Sequence, residues 1–145
     1  MEKLLISACL LGVTCRYDGK SKKAIDDIEL ERLGAKYELV PFCPEIYGGL
    51  PTPRIPSERI GDRVVMKNGT DVTENYNKGA AEALRIAELM GIKKALLKER
   101  SPSCAKSEIY DGSFTGKVVL GSGVAAETLK SHGIEVFSEY DVKKL

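Results

Sequence analysis

The sequence carries almost no excess charge of either sign: 22 Lys and Arg residues face 21 Asp and Glu, a formal net charge of +1. No field of the kind that draws a chain to nucleic acid or to a membrane surface is therefore expected. Basic character is local, as in KSKK at Lys20–Lys23, which reads as a solvated loop. No apolar run approaches the roughly 18 residues of a membrane-spanning helix. The opening LLISACLLGV does not read as a signal segment. It lacks a basic leader and a small-residue exit, and Arg16, Tyr17 and Asp18 follow at once. A first core strand is the better reading, and a cytoplasmic location the simplest expectation. Histidine is nearly missing: His132 is the single one, placed near a helix end and read as exposed rather than as a ligand. Close cysteine pairs of the C-x₂₋₄-C kind are missing too, which removes the usual framework of a structural zinc site.

What is present suits one domain spanning residues 1–145, with 43% hydrophobic and 30% charged residues. A chain of this length buries a core without staples. KLLISA (3–8), YELVPFC (37–43), KKALLK (93–98) and IEVFSE (134–139) read as strands. Pro41 marks the second as an edge strand, or as one whose pairing stops nearby. Helices are expected over 24–33 with Gly34 as C-cap, over 71–91 with Asp71 and Glu74 as a capping-box variant, and over 122–132. In the longest of these Val72, Tyr76, Ala80, Ala83, Leu84 and Ala87 share a face. Residues 64–72 suggest a short strand or hairpin with an Asn68–Gly69 turn, and the proline-rich stretch 44–63 fits no regular element. The alternation predicts an α/β fold, a Rossmann-like three-layer sandwich with a mostly parallel sheet. Such sheets bind ligands beyond the carboxyl ends of their strands.

Four cysteines then demand an account: Cys9, Cys15, Cys43 and Cys104. Cys9 follows the first strand, Cys43 ends the second, and Cys104 lies a few residues after the third. Three thiols distant in sequence thus converge on one sheet edge, whereas cysteines serving as small hydrophobes would scatter over the core. Iron–sulfur clusters take thiolates without paired spacing. Three thiolates on a four-iron cluster leave one iron open to act as a Lewis acid, and Cys15 as a fourth ligand would close it. Arg16, Lys98, Arg100 and Lys106 lie near these cysteines in sequence and would balance the negative charge of such a centre. Glu45, two residues after Cys43, suits a base or water positioner, and Ser101 a hydroxyl that orients a substrate atom. Gly48 and Gly49 suit a loop lying over a flat ligand. GSG at 121–123 offers weak backbone anion recognition, with a helix N-cap by Ser122 as the plainer use.

SACLLGVTCRYDGKSK, PFCPEIYGGLPTPR and KERSPSC together resemble the 2-thiouracil desulfidase family, formerly a domain of unknown function. The blocks occur in the family's order and anchor a likeness over essentially the whole chain. The chain resembles the short, single-domain form, which lacks the extra C-terminal domain of longer relatives that act on thiouridine. The resemblance implies non-redox desulfuration of 2-thiouracil, or a related thiolated pyrimidine, to uracil and hydrosulfide. It implies a 4Fe–4S cluster held by Cys9, Cys43 and Cys104, whose open iron binds the substrate sulfur, with Glu45 and Ser101 as acid–base residues. Cys15 is then a bystander, because relatives carry other residues there. The loop Gly48, Gly49 to Arg54 is the expected grip on the pyrimidine. Two readings compete: a non-enzymatic iron–sulfur or sulfur carrier protein, which has no need of Glu45, and a thiol redox protein using a Cys9–Cys15 disulfide.

Overall fold

In the computed structural model, residues 1–21 and 23–145 are described; Lys22 of the expected KSKK loop lies outside them. Four strands form a parallel sheet in the order β2–β1–β5–β8. They are β1 (Glu2–Ser7), β2 (Tyr37–Phe42), β5 (Lys94–Leu97) and β8 (Glu135–Ser138). Each alternates its side chains between two buried faces. Leu5, Ala95, Leu97 and Val136 point one way, onto α3 (Thr73–Met90) and α4 (Val124–Ser131). Leu4, Ile6, Leu96 and Phe137 point the other way, onto Leu33 of α1 (Asp27–Lys36) and the C-terminal 3₁₀ segment. The result is the expected three-layer, Rossmann-like sandwich. Leu4, Leu5, Ile6 and Leu96 are wholly buried, each worth about 1.5–3 kcal/mol over its exposed state.

β2 pairs only with β1, so Pro41 sits in an edge strand where its missing N–H costs no ladder bond. The α3 face is as the periodicity requires: Val72, Tyr76, Ala80, Ala83 and Ala87 are buried, and Gly91 ends the helix at φ +65°.

Several local expectations give way. Gly34 lies inside α1, which runs on to Lys36 because Tyr37, buried in β2, supplies the exit. Asp71 stands one residue before the N-cap position of α3, so no capping box forms; its carboxylate instead accepts from the backbone N–H and hydroxyl of Thr73. Ser122 does not cap α4, whose N-cap is Gly123; its hydroxyl donates to the Lys106 carbonyl. The stretch 44–63 holds a short helix α2 (Pro44–Tyr47) and the strand β3 (Ser57–Ile60), which pairs with β4 (Arg63–Met66) across Gly61 and Asp62. Asn68–Gly69 does form a turn, bringing Asp71 back against Val65. A further hairpin, β6 (Glu108–Tyr110) with β7 (Val118–Leu120), escaped the sequence reading because its strands are only three residues each.

α2 is seated directly on α3. A Cβ on Gly48 would stand 2.1 Å from the Asn75 carbonyl oxygen, and one on Gly79 would stand 2.0 Å from that of Pro44. Only glycine permits this approach. The Gly48 requirement is therefore helix packing, not ligand contact.

Candidate active site

The chain leaves β1 for one face of the sheet, through α1 to β2, and later returns through α3 on the other face to β5. The order thus reverses at β1, and at such a switch point the carboxyl ends of neighbouring strands diverge and leave a crevice. Here a cavity of about 570 Å³ opens there, lined by Cys9, Cys43 and Cys104, with Cys15, Glu45, Arg54 and Ser101 among the other walls. A larger, shallower groove of about 740 Å³ between the two hairpins and α4 contains no cysteine.

Each thiol has its own carrier. Cys9 rides a 3₁₀ turn (Ala8–Leu11) that continues β1, ended by Gly12 at φ +89°. Cys43 is the N-cap residue of α2. Cys104 sits on the loop after β5, and that loop is fastened from beneath. The first turn of α4 sends Val124 N–H to Pro102 O and Ala126 N–H to Ser103 O, while Gly123 N–H reaches Ala105 O. Those helix-terminal donors are consumed, so the GSG segment serves packing and not an anion. Glu99, 3% exposed, accepts from the backbone N–H groups of Ser107 and Glu108 and closes the loop from its other end.

Electrostatics separate the thiols. Burial pushes Cys104 up to about 12 from 9.0, against partial relief from hydrogen bonds with Ser7 and Ser103. Burial, then the neighbouring Cys43, raises Cys9 to about 11. Cys43 is lowered to about 7, first by a hydrogen bond from the Cys15 thiol, which is itself raised by that bond, and also by the Ile46 N–H at the start of α2. Cys15 is thus hydrogen-bonded to Cys43, with Cys9 also close enough to act on it, and all four cysteines are free. Among the described residues no three Cys, His, Asp or Glu side chains are placed to hold a single metal ion. The donor set is soft thiolate on the walls of a wide cavity, which suits an iron–sulfur cluster whose thiolates each take a different iron.

Glu45 is held by three side-chain hydrogen bonds. Tyr76 O–H donates to its Oε1 at 2.6 Å, Arg54 Nε donates to the same oxygen at 3.3 Å, and Ser103 Oγ donates to Oε2 at 3.0 Å. Burial and the adjacent carboxylate raise the Tyr76 phenol, which keeps it a donor. A carboxylate oxygen has two lone pairs, so Oε1 is fully occupied and Oε2 retains one free acceptor site. Ser101 Oγ accepts from the backbone N–H groups of Ser103 at 3.2 Å and Cys104 at 3.0 Å. Its hydroxyl is left as a donor.

Arg54 lines the cavity, but its side chain is 3% exposed and its donors are spent on Glu45, Pro51 O, Thr52 Oγ1 and Cys15 O. It ties the Cys15 and Glu45 segments together and has little left for a ligand. Gly48 and Gly49 do not line the cavity. Aromatic wall comes instead from Tyr17, Phe42, Tyr110, Phe114 and Tyr140. Arg16, Lys98 and Arg100 reach the cavity, whereas Lys106 pairs with Asp141. His132 is exposed on the C-terminal end of α4 and outside the lining.

Ser103 and Tyr76 are the site residues sequence reasoning passed over. Tyr76 read as a core position, yet a phenol only 1% exposed needs an acceptor, and that requirement was the available signal.

A doubly wound α/β protein with a thiol-walled crevice at its switch point is what fold and site define. The chain belongs to the 2-thiouracil desulfurase family, whose model matches residues 4–141. YbbK of Bacillus subtilis (strain 168), described as an uncharacterized protein, is 41% identical over 152 residues, covering 98% of this chain and 99% of its own. A solved structure described as the [4Fe-4S]-dependent thiouracil desulfidase TudS is 48% identical, with a TM-score of 0.94 over 100% of this chain and 95% of that one.

Proposed function

We propose that this chain is an iron–sulfur-dependent desulfidase that converts 2-thiouracil, or a related thiolated pyrimidine, to uracil and hydrosulfide without net redox change. Residues 1–145 act as one desulfidase domain. The observation that carries the reading is the convergence of Cys9, Cys43, Cys104, Glu45 and Ser101, from three segments of chain, on one cavity. Cys9, Cys43 and Cys104 would hold the 4Fe–4S cluster, leaving Cys15 outside the ligand set. When bound, the cluster supplies an open, Lewis-acidic iron for a thiocarbonyl sulfur.

The remaining work falls to the chain. Glu45, held by Tyr76 and Arg54, presents the free site on Oε2 to a water and takes its proton as the water attacks the thiocarbonyl carbon. Ser101 lies on the cavity wall with its Oγ fixed by two backbone N–H groups, and its hydroxyl turns from Ser103 Oγ to a polar atom of the substrate when one binds. The aromatic lining excludes water and offers flat apolar surface to a pyrimidine ring. Lys98 and Arg16 bring positive charge to the thiols. A small-molecule substrate and a reducing, cytoplasmic setting accord with a cavity built on free thiols. No described helix is long and apolar enough to cross a membrane.

The test is anaerobic reconstitution with iron and sulfide, followed by assay of 2-thiouracil for uracil and sulfide. A protein that takes up no cluster and forms no uracil ends the proposal. Glu45→Ala separates enzyme from carrier: sulfide release must collapse in the enzyme and persist in the carrier.

A further inference from the structure

Three carboxylates line the cavity among the described residues: Glu45, Glu58 and Glu99. Both oxygens of Glu45 and of Glu99 carry hydrogen bonds. Glu58 differs. Its Oε1 accepts from the backbone N–H groups of Gly112 at 2.9 Å and Phe114 at 3.1 Å, which fills that oxygen. Its Oε2 has no hydrogen-bond partner among the described residues, where no fully buried side-chain oxygen or nitrogen goes without one. Oε2 is therefore open to solvent. Glu58 is only 9% exposed and lines the cavity, so the cavity is where that oxygen opens. Its mounting is rigid. Glu58 stands in β3 opposite Val65 of β4. The loop between β6 and β7 sits so close on β3 that a Cβ on Gly112 would stand 2.3 Å from Ile60 Cγ1. Phe114 takes φ +58°, rare for a residue with a side chain, with its N–H on Glu58 and its ring among the aromatic walls. An acceptor and an aromatic wall are thus tied together through one oxygen atom.

We propose that Glu58 is a substrate-binding residue, whose Oε2 accepts a hydrogen bond from a ring N–H beside the thiocarbonyl carbon of a thiolated pyrimidine, next to the face that Phe114 offers. The proposal rests on the desulfidase reading and names the recognition element of that site. In 2-thiouracil the carbon that loses sulfur lies between two ring nitrogens, and each carries a proton to donate. The cationic walls cannot meet such donors. Arg54 is spent on its own partners, and Lys98 donates to Glu99 O and Glu139. Glu45 is committed to the attacking water. A carboxylate oxygen with both lone pairs open is the complementary group, and hydrogen bonds to a charged acceptor are the stronger kind. The ring N–H survives the reaction, so Glu58 holds the substrate equally before and during attack, and its contribution falls on binding. Replacing that N–H by N–CH₃ leaves Oε2 enclosed without a partner, and a site built to pair a polar group rejects an analogue lacking it.

The experiment compares reconstituted wild type with Glu58→Gln, measuring iron content, melting temperature, and kcat and KM for 2-thiouracil and its 1-methyl and 3-methyl derivatives. In Glu58→Gln the amide oxygen keeps the Gly112 and Phe114 N–H groups, and the NH₂ falls in the place of Oε2, donor against donor. Iron content and melting temperature should therefore match wild type. KM for 2-thiouracil should rise roughly 10–100-fold, the range for losing a hydrogen bond to a charged group. The kcat should stay within about threefold, because uniform binding is what is lost. In wild type one of the two methyl derivatives should lose a similar factor in kcat/KM. In Glu58→Gln that derivative and 2-thiouracil should be handled alike, because the contact is already gone. A merely structural Glu58 would leave the methyl discrimination in place. An unchanged KM, a loss of iron or a lower melting temperature in Glu58→Gln would overturn the assignment. So would a wild type indifferent to both methyl groups, or a discrimination that survives in the variant. In each of these cases an active wild type keeps the desulfidase reading. A cluster-loaded but inert wild type would overturn both.

Discussion

Gly79→Ala changes a residue that does not line the cavity, yet it should disable the site. In the middle of an 18-residue helix, alanine is ordinarily the better residue by about 1 kcal/mol. A naive expectation is therefore stabilisation. The tertiary structure reverses the sign. The new Cβ would stand 2.0 Å from Pro44 O and 2.7 Å from Pro44 C, where ordinary contact begins near 3.4 Å, a shortfall of about 1.4 Å. The obstacle is backbone, so no rotamer relieves it, and α2 must lift away from α3. Overpacking of this kind costs about 1–3 kcal/mol. Taking the upper end and returning about 1 kcal/mol of helix propensity leaves about 2 kcal/mol. At 2–4 °C per kcal/mol for a chain near this size, the melting temperature should fall by roughly 4–8 °C. Pro44 lies between Cys43 and Glu45, so both move with it. A misplacement of about 1 Å is enough for a roughly 10²-fold loss of rate. Thermal unfolding of the cluster-free protein, followed by cluster uptake and sulfide release, measures both effects. A melting temperature at or above wild type, with full activity, would refute the close-packing argument.

Arg54→Met removes one partner of a buried ion pair and leaves the Cys15 and Pro51 carbonyls without their donor. It should cost about 3 kcal/mol, read as a lower denaturation midpoint, and abolish sulfide release. In the cluster-free protein, Cys43 should alkylate first, with a midpoint near 7, ahead of Cys9 near 11 and Cys104 near 12; mass spectrometry of the adducts against pH reads the order. Cys15→Ala removes the hydrogen bond that lowers Cys43, so that midpoint should move up toward 9.0 while iron loading is retained. The linkage has two signs. The lowered Cys43 contributes stability present above pH 9 and lost as pH falls through about 7, whereas the raised Cys9 and Cys104 cost stability as pH climbs from 9 through 11–12.

The class of fold and the meeting of the cysteines were legible in the sequence because both are properties of regular elements. Alternating apolar runs name the strands, and a parallel sheet sends every strand end to the same edge. That places Cys9, Cys43 and Cys104 together without any knowledge of side-chain contacts. His132 could be set aside for the same reason, since a helix end lies at the opposite edge. Gly48 was singled out rightly as a residue that must be small, but its neighbour was misassigned. A glycine required for close approach has the same signature whether the approaching group is a ligand or the backbone of another helix. Arg54 posed a similar ambiguity, between gripping a substrate and saturating its donors on Glu45 and three nearby oxygens.

By itself, then, the sequence determined which elements form, which edge of the sheet carries the thiols, and the presence of a carboxylate and a hydroxyl close by. Local periodicity and turn chemistry are enough for that. The tertiary structure alone decided that Cys15 leans on Cys43, that α2 is seated on Gly79, and that Ser103 and Tyr76 hold the two oxygens of Glu45. Those facts depend on hydrogen bonds and contacts between segments as many as 58 residues apart, as for Ser103 and Glu45, and no local pattern encodes their distance or direction.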